Sequence, residues 1–155
     1  MKRRIQIVSH TLLLTLVAFL FTFDEIQAAK PISTTFFGSK AIGGYDAVAY
    51  HTHKKAVPGI KAYQTSWQGA NWLFNSAANL KTFKSNPKKY APSYGGYCAW
   101  AAAENRLVKA DPTIFDIHEG KLYLNYNKKT QDDWNADRPG MIIRGDKNYP
   151  RLVKE

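Results

Sequence analysis

The feature that most constrains the fold of this chain is its cysteine content, a single residue, Cys98, in 155. One cysteine cannot form a disulfide within the chain, so no covalent cross-link can compensate for a weak hydrophobic core. Tryptophan, tyrosine and phenylalanine make up 14% of the sequence, and side chains of this size suit a small, aromatic-rich core. The chain must therefore fold without an internal disulfide.

The N-terminus carries the three-part pattern of a secretory signal peptide. A basic start at residues 2–4 is followed by an apolar run over residues 11–23, and residues 26–28 offer a cleavage site. The apolar run is shorter than the roughly 20 residues that a transmembrane helix needs. We therefore predict a cleaved signal peptide at residues 1–28 and a periplasmic or secreted bacterial protein with no transmembrane segment. A retained anchor is the alternative.

The charge of the exported part is strongly positive. Removing residues 1–28 takes away three of the 22 basic and two of the 12 acidic residues, which leaves a net charge of +9. Such a charge favours an acidic protein or an anionic envelope surface as a partner. The lysines are scattered, however, which is also typical of a basic soluble protein with no such partner. Nucleic-acid binding is not expected because it fits poorly with export.

We predict an irregular N-terminal arm at residues 29–41, and residues 42–152 have the length of one domain. Ser76 is expected to cap the first helix and Thr130 the last. Interspersed helices and hairpins predict a small single α+β domain with antiparallel β-hairpins and short packed helices. The elements predicted from alternation, capping and turn residues are a strand (47–51), a hairpin (61–67 with 71–75), a helix (77–85), a helix (97–104), a hairpin (114–118 with 121–126) and a last short helix through residues 133 and 134.

Six short motifs occur in an order that resembles the exported YHS-domain proteins, and the resemblance covers about residues 42–152. Where relatives usually have a bulky residue after the Ala-Tyr of the first motif, this chain has His51 and then His53. The resemblance implies a link to metal-binding modules, because YHS domains are similar to modules attached to copper-transporting ATPases and to some sensor enzymes. The motifs are Gly-Tyr-Asp-Ala-Val-Ala-Tyr (44–50), Trp-Leu-Phe (72–74), Phe83 followed by Asn-Pro (86–87) and Tyr-Ala-Pro (90–92), Tyr-Gly-Gly-Tyr-Cys-Ala (94–99), Asp-Pro (111–112) and Leu-Tyr-Leu-Asn (122–125).

The residue types also permit a metal site. A thiolate is a soft ligand that suits Cu(I) or Zn(II), and imidazole binds both ions. His51 and His53 would point to the same face of a strand, where Cys98 could complete a three-ligand site. Copper is expected ahead of zinc.

The residues around this hypothetical site have supporting roles. Gly95 and Gly96 would allow close approach to Cys98. Tyr97 would close over the site or donate a hydrogen bond to a ligand, and Tyr50 would pack beside it. The competing interpretation is that Cys98 packs as a small buried hydrophobe, with His51 and His53 in a solvated loop.

Two classes of function therefore remain open, and a third is weaker. The first is a non-catalytic, copper-type module for sensing, buffering or delivery. The second is a metal-free domain that binds a ligand or a protein through an aromatic pocket and a basic surface. Tyr63, Trp67, Trp72 and Phe74 could form such a pocket or simply a core. The third, an enzyme with Cys98 as nucleophile, needs an exposed thiol beside a histidine.

Overall fold

The computed structural model of the protein describes residues 29–153. The predicted signal peptide lies outside the described residues. Within the described part, six helices accompany two antiparallel sheets of two strands each, which confirms the predicted α+β class. None of these helices is long and apolar enough to cross a membrane.

The first half of the domain is built around a hairpin of β1 (Ile60–Trp67) and β2 (Ala70–Phe74), which pair antiparallel as predicted. Helix α1 (Ala47–His53) precedes this hairpin, and helices α2 (Ala77–Ser85) and α3 (Pro87–Tyr90) follow it. The Ser76 side chain accepts a hydrogen bond from the N–H of Asn79 at 3.1 Å, which confirms the predicted cap of α2.

The strand predicted over residues 47–51 is wrong, because this segment begins α1. The side chain of Asp46 accepts hydrogen bonds from the N–H groups of Val48 at 2.8 Å and Ala49 at 3.1 Å, and so caps a helix. The first four residues of α1 are all buried. A short, fully buried segment shows no periodicity that separates a strand from a helix.

The second half repeats the arrangement around a hairpin of β3 (Asp111–His118) and β4 (Lys121–Asn125). Helix α4 (Ala99–Ala103) precedes the hairpin, and helices α5 (Lys128–Ala136) and α6 (Arg138–Leu152) follow it. The hairpin is the one that the sequence predicts.

Three details of this half differ from the sequence prediction. Helix α4 is shorter than residues 97–104, since Cys98 is its N-cap. Asn127 caps α5, and Thr130 occupies the third helical position, from which its hydroxyl accepts a hydrogen bond from the Asn127 N–H. Helix α6 was not predicted, because its prolines and glycines resemble loop residues. Pro139 lies in its first turn, where proline is tolerated.

The core consists of two clusters. The first surrounds the β1–β2 hairpin and α1, and includes Tyr50, Trp72 and Phe83. The second packs α4 against α5, α6 and β4, and includes Tyr123 and Trp134. A tight turn at residues 93–96 lies between them.

The arm is irregular but firmly attached. Ile32 is buried in the first cluster, the N–H of Ser33 donates to the carbonyl of Gly95 at 2.9 Å, and the N–H of Ala41 donates to Asn71 at 2.9 Å. Both clusters lie between Ile32 and Tyr149. Because the chain from Ala29 onward holds a complete core, we expect it to fold on its own.

Candidate functional site

Cys98, the predicted anchoring ligand, is completely buried at the start of α4. Its N–H donates to the carbonyl of Val108 at 2.8 Å, and its thiol donates to Oδ1 of Asn125 at an S···O distance of 3.7 Å. The same Oδ1 accepts the N–H of Trp100 at 3.2 Å. The thiol is therefore packed and hydrogen-bonded inside the core, as the competing interpretation expects.

The two histidines do not share a face. They occupy the last turn of α1, where residues two apart point about 200° away from each other. His53 is exposed, with Nδ1 at 3.0 Å from the hydroxyl of Thr52. His51 is half-buried, edge-on to Tyr90 at 5.4 Å between ring centroids. The expectation of a same-face pair is wrong because it required a strand.

The environment of His51 favours a neutral imidazole. Burial lowers its pKa, the positive charges of Lys54 and Lys89 lower it further, and the backbone of Tyr90 acts in the opposite direction. Its Nε2 is buried and has no hydrogen-bond partner among the described residues. His51 is thus an imidazole with an unused ring nitrogen.

Over residues 29–153, no group of three or more His, Cys, Asp or Glu side chains is placed to hold a metal ion. His51, His53 and Cys98 all lie in this part of the chain. The structure therefore does not bring the three predicted ligands into one group.

Tyr50 and Tyr97 have structural partners of their own. The hydroxyl of Tyr50 donates to the carbonyl of Pro112 at 2.7 Å, and its ring meets Phe115 edge to face at 4.9 Å. The hydroxyl of Tyr97 donates to the carbonyl of Lys30 at 3.0 Å. Burial raises the pKa of both phenols, so both remain protonated donors.

Gly95 and Gly96 permit a close approach of other backbone or side-chain atoms. The atoms that approach them belong to Pro31 of the arm and to Ile42, which directly follows the arm. A Cβ on Gly95 would lie 1.8 Å from the carbonyl oxygen of Pro31, and one on Gly96 would lie 2.9 Å from a methyl carbon of Ile42. Both glycines also have positive φ, 60° and 81°. They are needed to seat the chain around the turn at residues 93–96.

This turn forms one wall of a cleft of about 300 Å³ that the sequence did not predict as a unit. The arm contributes Ile32, which is buried beneath the cleft. The side chains that shape its mouth come from four elements and the turn: Trp67 of β1, Lys88 and Lys89 of α3, Tyr94 of the turn, Lys121 of β4 and Tyr149 of α6.

The charge of the cleft has one sign. Lys88, Lys89 and Lys121 are exposed at its edge, and none of the residues that line it is acidic. The remaining lining is mainly aromatic or apolar, with Trp67 half-buried. A lining that combines aromatic and apolar groups with several ammonium groups is suited to an anion with an apolar body.

Tyr94 is held in an unusual conformation in this wall. Its φ is 55°, a left-handed value that costs a bulky residue free energy unless its surroundings enforce it. The hydroxyl donates to Oδ1 of Asp146 at 3.0 Å, and burial together with this carboxylate raises the pKa of the phenol. The ring lies over Gly145, where a Cβ would come within 2.6 Å. Packing therefore fixes the wall.

Tyr149 lies beside Tyr94 in the lining of the cleft, with 5.6 Å between the ring centroids. Its hydroxyl donates a hydrogen bond to the carbonyl of Pro31, and burial raises its pKa to about 12. Gly95 meets the same carbonyl, so the arm is held between the turn and α6.

Part of this cleft had a signal in the sequence. Trp67 belongs to the aromatic set that could form a pocket, whereas Trp72 and Phe74 of that set are buried in the core. Lys88 and Lys89 precede a Tyr-Ala-Pro run, a basic pair beside aromatic residues. Lys121 and Tyr149 could not be connected with these residues without the tertiary structure.

Comparison with known proteins locates a YHS domain at residues 48–94. The match covers α1 with both histidines, the first hairpin, α2, α3 and Tyr94 of the turn, and it ends before Cys98. No curated protein and no solved structure matches the chain.

Proposed function

We propose that this protein is an exported, non-catalytic binding module whose cleft takes a small anionic ligand with an apolar or aromatic body. The observation that carries the proposal is the composition of the cleft. Three lysines and three aromatic side chains line it, and no carboxylate does.

The attraction expected at this cleft is electrostatic and apolar together. The lysines are solvated, so each contributes a modest and salt-sensitive attraction, on the order of 1 kcal/mol or less. The half-buried rings of Trp67 and Tyr149 supply area that a ligand can cover, and the buried ring of Tyr94 supports the wall behind them. We expect affinity to depend on both parts of the ligand, so neither a simple inorganic anion nor a neutral hydrocarbon should bind well.

Two observations support binding over catalysis. Cys98 is fully buried, whereas a nucleophilic thiol must be reached by its substrate. Its hydrogen-bond partner is the amide of Asn125, and not a histidine that could act as base. The predicted signal peptide supports an exported location.

The test uses the chain from Ala29 onward with two dyes of similar shape. Anilinonaphthalene sulfonate is an anionic aromatic probe, and N-phenylnaphthylamine is its uncharged counterpart. We expect saturable fluorescence with the anionic dye, weakened several-fold when salt rises from about 50 to about 500 mM. The neutral dye should bind more weakly and without salt dependence.

A pair of charge variants locates the site. Lys88→Gln/Lys89→Gln should weaken binding of the anionic dye several-fold, because it removes two cleft charges. Lys81→Gln/Lys84→Gln removes the same charge from exposed positions of α2 and serves as the control. Equal affinities in the two variants would contradict the proposal, since the dye would then respond to net charge alone.

A copper-type metal module is the second candidate. It is supported by the YHS domain at residues 48–94 and by the buried, unpartnered Nε2 of His51. The buried thiol of Cys98 would need a local opening to act as a ligand. A zinc role has no additional support.

The metal hypothesis is tested by an anaerobic titration of Cu(I) against a chromophoric chelator. Stoichiometric binding that is lost in Cys98→Ser and weakened in His51→Ala/His53→Ala would establish the metal module. Wild-type binding no stronger than that of the variants would exclude it for Cu(I). The dye experiment tests the cleft independently of the metal titration, so either the cleft hypothesis or the metal hypothesis can fail while the other holds.

A further inference from the structure

Two adjacent phenylalanines are almost completely exposed at a turn of the arm. The exposed fractions are 88% for Phe36 and 82% for Phe37, and the rings meet edge to face at 4.8 Å. Neither belongs to a core cluster. Single exposed apolar residues are common, but a contiguous pair of large rings on a soluble surface indicates an interaction site.

The turn presents these rings on an ordered backbone. The Thr35 hydroxyl donates to the carbonyl of Phe37 at 2.7 Å and accepts the N–H of Lys40 at 3.1 Å. The N–H of Thr35 donates to the carbonyl of Lys40 at 3.0 Å. The loop is therefore closed at its base, and the rings project from its tip.

Positive charge surrounds the pair. Lys30 and Lys109 line the same shallow depression as Phe36, and the side chain of Lys40 lies beside Gly38. No acidic residue lines this depression, and none occurs between Ala29 and Tyr45. The turn thus combines an apolar tip with a basic surround.

We propose that the turn at residues 36–39 docks the protein onto an anionic membrane surface. Phe36 and Phe37 insert at the level of the lipid headgroups, and the surrounding lysines remain at the phosphates. A bilayer accommodates a projecting apolar tip without a shaped counterpart, whereas a protein partner would need a matching groove. The attraction of lysines to anionic lipid accounts for the charge around the tip.

The experiment is co-sedimentation of the chain from Ala29 onward, first checked for cooperative unfolding, with lipid vesicles. One set contains phosphatidylcholine alone, and the other contains about 30% phosphatidylglycerol. We expect binding to the anionic vesicles and little to the neutral ones. No binding to the anionic vesicles would overturn the proposal.

The first comparison tests the rings. Phe36→Ser/Phe37→Ser should lower affinity for anionic vesicles at least about tenfold, since burial of one such ring is worth that factor or more. Tyr126→Ser/Ile143→Ser removes two other exposed apolar side chains, 55% and 71% exposed, and should bind like wild type. Equal losses in the two variants would overturn the assignment to this turn.

The second comparison tests the charges. Lys30→Gln/Lys109→Gln should weaken binding more than Lys81→Gln/Lys84→Gln, which changes net charge equally on α2. A different result would overturn the membrane proposal: the wild-type chain does not bind vesicles but self-associates in sedimentation velocity, while Phe36→Ser/Phe37→Ser stays monomeric. The two rings would then contact a second copy of the chain. Dye binding in the cleft is measured on the same variants and should not change.

Discussion

The side-chain amide of Asn79 donates a 2.8 Å hydrogen bond to the carboxylate of Asp46, which solvent does not reach. The same carboxylate accepts the N–H of Asn75 at 2.9 Å and the two N–H groups at the start of α1. One buried side chain therefore joins α1 to the end of β2 and to α2. Asp46 therefore acts across the first half of the domain and not only at the helix that it caps.

Asp46→Ala should lower the free energy of unfolding by about 2–4 kcal/mol. It removes the cap of α1 and leaves buried donors without an acceptor. Urea denaturation followed by tryptophan fluorescence measures the loss. Asp111→Ala, at an exposed position that accepts only from Thr113, should cost about 1 kcal/mol or less. Similar losses at the two positions would contradict the bridging role of Asp46.

Gly95→Ala should lower the free energy of unfolding by about 2–4 kcal/mol and detach the arm, because the new Cβ would collide with the carbonyl of Pro31. Limited proteolysis of the arm, together with urea denaturation, would detect both effects. Gly120→Ala is the matched control, since its φ is also positive, 74°, and no atom lies within 4 Å of the added Cβ. It should cost only about 1–2 kcal/mol, from backbone strain. An equally small loss at Gly95 would show that the contact with Pro31 is not tight.

Cys98 should be protected from thiol reagents in the native protein. An aromatic disulfide reagent can reach it only after local or global opening, so we expect modification at least about 100-fold slower than in urea. The absorbance of the released thiolate gives both rates. Rapid modification of the native protein would contradict burial and revive the hypothesis of a reactive thiol.

His51 should make stability depend on pH. Burial lowers its pKa below the ordinary value of 6.5, so the unfolded chain binds the proton more readily than the folded one. The contribution of His51 to the free energy of unfolding is therefore complete above about pH 6.5 and is lost as the pH falls towards the folded pKa. Urea midpoints at about pH 7.5, 6.5 and 5.5 should fall less steeply in His51→Phe than in wild type. His118→Phe controls for the loss of an imidazole, and a wild-type slope in His51→Phe would contradict the prediction.

Much of the fold was predictable because it depends on local signals. Gln68 and Gly69 form the turn between β1 and β2, Glu119 and Gly120 form the turn between β3 and β4, and all four have positive φ. The strand predicted at residues 47–51 was wrong because four consecutive buried residues have no exposed face to reveal their period. Helix α6 was missed because Gly140 and Gly145 resemble loop residues, although Gly145 is required by the ring of Tyr94.

The candidate site was less predictable than the fold. Cys98 and His51 were recognised as chemically capable residues, but their burial and partners depend on residues as distant as Asn125 and Tyr90. The cleft depends on the meeting of Trp67, Tyr94 and Tyr149, which no spacing in the sequence connects. Sequence patterns identify residue chemistry, whereas tertiary packing decides which chemistry is accessible.

The hydrogen bond from Tyr149 to Pro31 joins positions 118 residues apart. A ribosome delivers Pro31 early and Tyr149 only near the end of synthesis, so the cleft cannot be completed while the chain is still emerging. The same holds for a chain threaded through a secretion channel from its N-terminus. An incomplete chain has no finished cleft, and a truncation before α6 should therefore remove binding even if the first hairpin still folds.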